Sequence, residues 1–542
     1  MYYIFEVYAR DRADEPPYGG KGCEIRYYCR YLCHDSTLNE DAMEQRVALC
    51  FLLLSIFAPV LNAQWIPIRT VPLITARQSE MQPSLARGMG NLSIVFDDPL
   101  GNLFLNPANA ASLTGIVLFT SPTHNSWTND DRQSVTTDLG SSRYPGTSAT
   151  SIPFGAFLGG SNLFGGGLVA HQAYQTKTSI DRASLLATRA GQLETRDNTE
   201  NNMYLFGLFG TRCAEGNAAI AGSVTWAQYG AMDGVNLLYP GSVDLSQNGW
   251  TVEYKLGAVG TIHERDRLEF LLGRSIARTS HHVTYPVVGF TDIRPNSDYR
   301  TEINKDESSQ WLLNASYKRT LHRGWRVGAG ITVNWKDHPK IPNYDLANIP
   351  RDPGTSLAYN LGLAALWSDT TSLWGIEYIY EPMTSQTWAE AGEQPANPQD
   401  QLLPPTFKTI ENFFDFTNHI IRVGHRSHTR HPWLEYRFGA QLHIYSYSLD
   451  QQDNIAGTAR SLSTDWVETT LSGGLSATLG DLQLMYTLQL VLGNGLVGTQ
   501  SVTFRVAEAA RANDILVAPS GELVVNELTL VTHQLALVYS IP

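Results

Sequence analysis

Four histidines crowd into a short stretch, at His419, His425, His428 and His431, and three cysteines, Cys23, Cys29 and Cys33, stand beside His34. Imidazole nitrogens and thiolates are the donors that hold zinc, but a closed site wants paired ligands, and the C-x2-C element is missing from the cysteine group. For the histidines the plainer reading is exposure near a rim, so no metal is expected. The remaining polar residues give no catalytic set. No G-x-S-x-G elbow, H-E-x-x-H, phosphate loop or Rossmann glycine signature occurs. Spacing leaves open a hydrolase whose Ser, His and acid come from different strands of a barrel, yet it selects no such trio. The chain reads as a non-enzyme without a cofactor.

The charged residues that remain lie on one face of alternating segments. Trp325, Val327, Ala329, Ile331, Val333 and Trp335 share one side of an extended strand, and Arg326, Gly328, Gly330, Thr332 and Asn334 share the other. Ten residues at roughly 3.3 Å rise and a tilt of about 40° span about 25 Å, the height of the apolar band of a membrane barrel. The two Trp would then sit at its two interfaces. The pattern recurs with the same polarity at 357–367, 374–381, 434–445 and 252–259. Glu253, Lys255, Lys318, Arg326, Glu377, Glu435 and Arg437 all fall on the polar side. Both signs are present, which predicts ion pairs across an enclosed interior rather than the one-signed lining of an ion-selective pore.

A soluble sandwich would show the same alternation, with its apolar face as the core. Aromatic strand ends, runs of ten or more residues where about 5 or 6 is usual, and an export signal favour the membrane. Residues 47–61 read V-A-L-C-F-L-L-L-S-I-F-A-P-V-L after Arg46, and Leu61 and Ala63 occupy the −3 and −1 places of a cleavage site. The run is too short for a spanning helix, which needs about 20 residues. Residues 43–63 are therefore expected to be a signal peptide with Gln64 as the first mature residue, and 1–42 an over-extended, unstructured leader. Cys50 lies inside the signal, so the mature chain keeps Cys213 alone and no disulfide framework.

The chain has 542 residues, 39 basic and 52 acidic, with a mean hydropathy of −0.19. An acidic balance courts no nucleic acid, and unremarkable hydropathy is what a barrel shows, because its two faces cancel. Fifteen candidate strands lie near 147–159, 163–180, 201–213, 218–232, 250–263, 267–283, 308–322, 325–338, 356–368, 372–388, 418–428, 433–450, 466–480, 481–493 and 526–541. Single-chain bacterial barrels use even numbers, so the true count lies between 14 and 16. Turns at 159–162, 322–324 and 480–481 are tight, while 181–200, 339–355 and 389–417 read as long polar loops. His533 shares a face with Val531, Leu535, Leu537 and Tyr539, which makes the closing strand the weakest by pattern.

Ahead of the strands, Arg87-Gly88-Met89-Gly90-Asn91 leads through Phe96-Asp97-Asp98-Pro99 to Leu105-Asn106-Pro107-Ala108-Asn109. This succession of G-M-G-N, D-D-P and N-P-A resembles the N-terminal region of FadL-type outer-membrane transporters and the related PorV-type barrels. The resemblance covers about 25 residues closely, and the rest by architecture. It implies an all-β transmembrane antiparallel barrel of about 14 strands, with residues 64–115 as a hatch or plug and 116–542 as the barrel. Asn106, Pro107, Ala108, Asp97 and Asp98 would then lie in the hatch, near a ligand. Asn before Pro also caps a turn by itself, so N-P-A has a purely structural reading.

In FadL-type members a hydrophobic ligand leaves sideways through a strand defect into the bilayer. Such a defect needs unpaired backbone, and Pro or Gly supplies it. Pro153 and the triplet Gly165-Gly166-Gly167 are the candidates, although a lumen glycine also simply makes room for a plug. The expected function is passage of hydrophobic small molecules, long-chain fatty acids or aromatic hydrocarbons, across the outer membrane of a Gram-negative cell, with outer-membrane lipid as surroundings. The alternative is a PorV-like barrel that docks or shuttles for proteins of a secretion system.

Overall fold

The computed structural model describes residues 81–128, 135–137, 140–182, 192–213, 216–231, 244–262, 265–287, 298–337, 355–390, 407–454, 457–500 and 521–542. The leader, the signal segment and 64–80 lie outside them, with Cys23, Cys29, Cys33, His34 and Cys50.

The strands are β1 (Gly115–Thr120), β2 (Thr123–Thr128), β3 (Val135–Thr137), β4 (Gly140–Gly159), β5 (Leu163–Arg182), β6 (Gln192–Cys213), β7 (Ala218–Tyr229), β8 (Asp244–Ile262) and β9 (Asp266–Val287). The second half holds β10 (Asp298–Thr320), β11 (Trp325–Asp337), β12 (Thr355–Ser368), β13 (Ser372–Glu390), β14 (Lys408–His428), β15 (Leu434–Asp453), β16 (Thr458–Leu479), β17 (Leu482–Gln500) and β18 (Gly521–Ile541). From β4 to β18 each strand pairs antiparallel with its sequence neighbours, and β1 and β2 close the ring by pairing with both β4 and β18.

β1, β2 and β3 lie end to end along β4, against residues 154–159, 147–151 and 140–142 of it. They share one position of the ring, so the barrel has sixteen strands rather than about 14. All fifteen segments picked out by alternation are strands, β4 to β18. The missing one is the interrupted position, whose pieces of 6, 6 and 3 residues are too short for a period to show.

The direction of the faces follows from burial. On β11, Trp325 and Ile331 are 46% and 42% exposed, while Thr332 and Asn334 are 3% and 0% exposed. Leu361, Leu363, Trp374, Ile376, Phe438, Leu475 and Leu537 are exposed on other strands, and Asn360, Glu377, Arg437 and Gln534 are buried. Apolar side chains therefore face out of the ring and polar ones into it. A barrel in water does the reverse, and a bare apolar belt on a closed barrel is satisfied by lipid tails.

Two expected loops are partly strand. Residues 192–200 belong to β6 and 408–417 to β14. On β14 the reason is a reversal of polarity: Arg422 and Asn418 point inward with Val423 and Ile421 outward, but beyond His419 the inward residues are Phe416 and Phe414 and the outward ones Thr417 and Asp415. β15 reverses at the matching height, with Tyr447 and Leu449 in and Ser448 and Asp450 out. Over these positions the wall packs its apolar residues inside and its polar ones outside, so the pattern read for a membrane strand does not apply there.

Candidate functional site

Residues 81–113 pack on the inner face of the wall. Met89, Leu92, Val95 and Phe96 form one cluster with Ala364 and Leu366. Wall glycines admit this approach: a side chain at Gly375 would strike Leu92, at Gly424 Met89, and at Gly439 the backbone of Met89 and Gly90. Gly90 and Asn91 take φ of 67° and 64°, which turns the segment along the wall.

Polar contacts then fix it. The buried Glu377 carboxylate accepts from Ser93 N (2.9 Å), Ile94 N (2.8 Å) and Ser93 Oγ (2.9 Å), and Arg422 Nη1 stands 2.5 Å from the same carboxylate. Asp97 pairs with Arg326. Asp98 accepts from Gly101 N (3.1 Å) at the start of the short helix Gly101–Leu105, and from Ser84 Oγ (2.6 Å). Arg437 donates to Glu435 (2.6 Å) and Ser476 Oγ (2.6 Å). Of the seven lumen charges expected from sequence, Glu435 pairs with Arg437 and Glu253 with Lys255, each along one strand, and Lys318 meets Glu269, whereas Arg326 and Glu377 each bind the N-terminal segment.

Asn106 precedes the 3-10 helix Pro107–Ser112 and caps it, its Oδ1 accepting from Ala108 N at 3.1 Å. Its Nδ2 reaches the β8 and β9 carbonyls of Ala258 (3.4 Å) and Phe270 (3.2 Å), in space left by Gly257. Asn109 donates to Glu269 (3.0 Å) and accepts from Arg267 (2.5 Å), and Glu269 also meets Lys318 Nζ at 2.8 Å. Asn106, Pro107 and Ala108 are thus a capped turn pinned to the wall, and beside it lies a polar cavity of about 80 Å³ lined among others by Asn102, Asn106, Lys318, Thr332 and Asn360.

The opposite flank of this turn is apolar. Phe104 packs on Phe206 (4.5 Å between centroids) and Phe157 (6.0 Å), and Phe157 stacks on Phe119 at 5.7 Å. Phe119, Phe157 and Phe206 point inward, against the polar habit of that face, and the group adjoins the break between β1 and β2. The register with β4 is unchanged across the break: Thr120 pairs with Phe154 and Thr123 with Ser151. Between them stand Ser121-Pro122 on one side and Ile152-Pro153 on the other.

Neither proline has an N–H to give. Among the described residues no backbone hydrogen bond crosses the seam there, and the Pro153 carbonyl accepts instead from Thr120 Oγ1 at 2.7 Å. On the β18 side pairing persists, with Leu535 N donating to the Pro122 carbonyl at 3.0 Å. Inside the seam the N-terminal segment is held by two bonds, Ser121 Oγ to the Met81 carbonyl and Gln534 Nε2 to the Gln82 carbonyl (3.1 Å). Outside it, Phe154 and Ile152 are 58% and 45% exposed.

Pro153 therefore lies at an unpaired seam, while Gly165, Gly166 and Gly167 stand in a continuous ladder between β4 and β6. Gly166 instead clears room for the Phe157 ring. Pro122 and the inward phenylalanines are additions that sequence reasoning missed. The signal was available: S-P-T splits two short runs, G-I-V-L-F-T and T-H-N-S-W-T. The histidines do not gather. His419 lies outward beside Tyr378 (2.8 Å), His425 rests on Trp374 (4.0 Å), and no metal-binding group of three or more donors occurs among the described residues.

No family model matches the chain, and neither does any curated protein. Solved structures to which it is similar include a Pseudomonas aeruginosa FadL homologue (11% identity, TM-score 0.39, 85% of this chain and 99% of that one). Others are the Ralstonia pickettii toluene transporter TbuX (10%, TM-score 0.37, 85% and 98%) and CdiB from Acinetobacter baumannii (10%, TM-score 0.35, 79% and 60%).

Proposed function

We propose that the chain is an outer-membrane barrel of the FadL type that admits hydrophobic small molecules and releases them sideways through the Pro122–Pro153 seam. One observation carries this reading: an inward cluster of aromatic rings adjoins a two-residue gap in the hydrogen-bonded wall, with the bare apolar belt directly outside. A hydrophobic solute that reached Phe119 and Phe157 would meet lipid through that gap once Ser121 and Gln534 had released the N-terminal segment. In this reading 43–63 is a signal peptide, residues from 64 to 115 are a hatch, and release requires Met81 and Gln82 to leave Ser121 and Gln534. The barrel catalyses nothing and takes no cofactor.

The test is a lock on the seam. Pro122→Cys and Ile152→Cys place two thiols on neighbouring strands at the gap. In the oxidised double variant, uptake of oleate and of toluene is expected to stop and to return on reduction. Undiminished uptake would refute a lateral exit. Failure of the unmodified barrel to take up either compound would leave the secretion-docking alternative, which needs no seam. N-terminal sequencing of the mature protein should begin at Gln64.

A further inference from the structure

The lumen changes character between two adjacent rungs of the wall. On the upper rung Ala358 pairs with Met383, Met383 with Phe416, and Phe416 with Tyr447, all pointing inward. Phe414 and Leu449 extend the patch, with Phe414 and Phe416 rings 5.0–5.8 Å from Tyr447. One rung nearer the N-terminal segment Glu381 pairs with Asn418. An apolar collar thus sits directly on a carboxylate.

Glu381 differs from its neighbours. Glu253 pairs with Lys255, Glu269 with Lys318 (2.8 Å), Glu377 with Arg422 (2.5 Å) and Glu435 with Arg437 (2.6 Å). Glu381 is only 5% exposed, yet it makes no Lys or Arg salt bridge among the described residues. It accepts from Asn360 Nδ2 at 2.8 Å and from the Asn418 side chain, and His443 Nε2 stands 3.9 Å away. Arg422, whose field reaches it, is engaged by Glu377. A buried carboxylate without a firm cation is costly, and a cationic ligand removes that cost. Asn360 also lines the cavity beside the Asn106 turn, so the carboxylate stands between the collar and that space.

We propose that Glu381 and the collar form a subsite for hydrophobic amines, the carboxylate taking the ammonium group and Met383, Phe414, Phe416 and Tyr447 the hydrocarbon. Aromatic faces also attract an ammonium group, which adds to the preference. Met383, unbranched and pliable, is the member that gives way. Passage through this subsite rests on the transport reading above, but occupancy does not. It is measured on the full-length mature barrel in detergent, where nothing is carried.

The probes are 4-butylbenzylamine and butylbenzene, matched in hydrocarbon, with binding followed by equilibrium dialysis and corrected for partition into empty micelles. The unmodified barrel is expected to hold the amine at least about tenfold more tightly. Glu381→Gln should abolish that difference while keeping butylbenzene binding, which also reports an intact fold. Phe416→Ala should weaken both probes. Equal binding of the two by the unmodified barrel, or an amine preference that survives Glu381→Gln, overturns the proposal. A seam lock that leaves uptake unchanged would remove the lateral exit alone.

Discussion

Glu377 and Arg422 face each other across β13 and β14 at 2.5 Å, and the same carboxylate holds Ser93 and Ile94 of the N-terminal segment. Glu377 is fully enclosed and Arg422 nearly so. Removing the acid strands a buried guanidinium, an effect of about 3–5 kcal/mol in comparable cases. Glu377→Ala is expected to lower the unfolding midpoint in urea. It should also raise ionic conductance in planar bilayers, because the segment loses the carboxylate that holds Ser93 and Ile94 to the wall. The Glu377→Ala/Arg422→Ala double variant should recover part of the stability but not the closed conductance.

Gly90 and Gly439 meet at one of the close approaches of the segment to the wall. Gly90 has φ of 67°, and a Cβ there would run against the Ala440 and Val423 carbonyls at 2.6 Å. Gly90→Ala is therefore strained by both conformation and space, at about 1 kcal/mol or more from the left-handed backbone alone. Protease cleavage within 81–113 should become faster in Gly90→Ala than in Gly216→Ala. Gly216 also has a positive φ, of 95°, but nothing stands within 4 Å of it.

Asp369 lies in the turn between β12 and β13, outside the belt. The N–H groups of Thr371 and Ser372, each 2.7 Å from its Oδ1, hold its carboxyl below the usual carboxylate range. A depressed folded value means that its contribution to stability is present above the unfolded value of about 3.9 and is lost as pH falls through the lower folded value. Stability of the unmodified barrel minus that of Asp369→Asn should be constant above about pH 5 and shrink below pH 4. The side chain is exposed, so the loss is small. A difference that grows on acidification would contradict the assignment.

How much of this was legible follows from where the two-residue period holds. β11 was plain because six outward residues from Trp325 to Trp335 alternate without a fault. β18 was legible despite His533, which lies outward and is accommodated by Tyr486 at 2.8 Å. The β1 and β2 position was not, because Pro122 cuts it into pieces shorter than the period needs. That same proline is half of the seam, so the feature that hides the strand is the one with a use. Glu381 could not be told from Glu377 by pattern. Both are acids at inward positions of β13, and only the register sets Arg422 opposite one and Asn418 opposite the other.

The membrane reading itself has a test that uses two heights of one barrel. Leu363, on β12, is 64% exposed in the middle of the belt, while Asp415, on β14, also points outward but lies beyond His419, where polarity has reversed. An arginine facing lipid at the bilayer midplane costs about 2–4 kcal/mol, and near the interfaces about 0–1. Leu363→Arg should therefore destabilise a barrel folded in lipid vesicles by the larger amount and Asp415→Arg by little. In water-filled surroundings the order would vanish, since a guanidinium exposed at either place is simply hydrated. Equal effects of the two substitutions in vesicles would mean that no bilayer surrounds Leu363, and the outward belt would then need another partner.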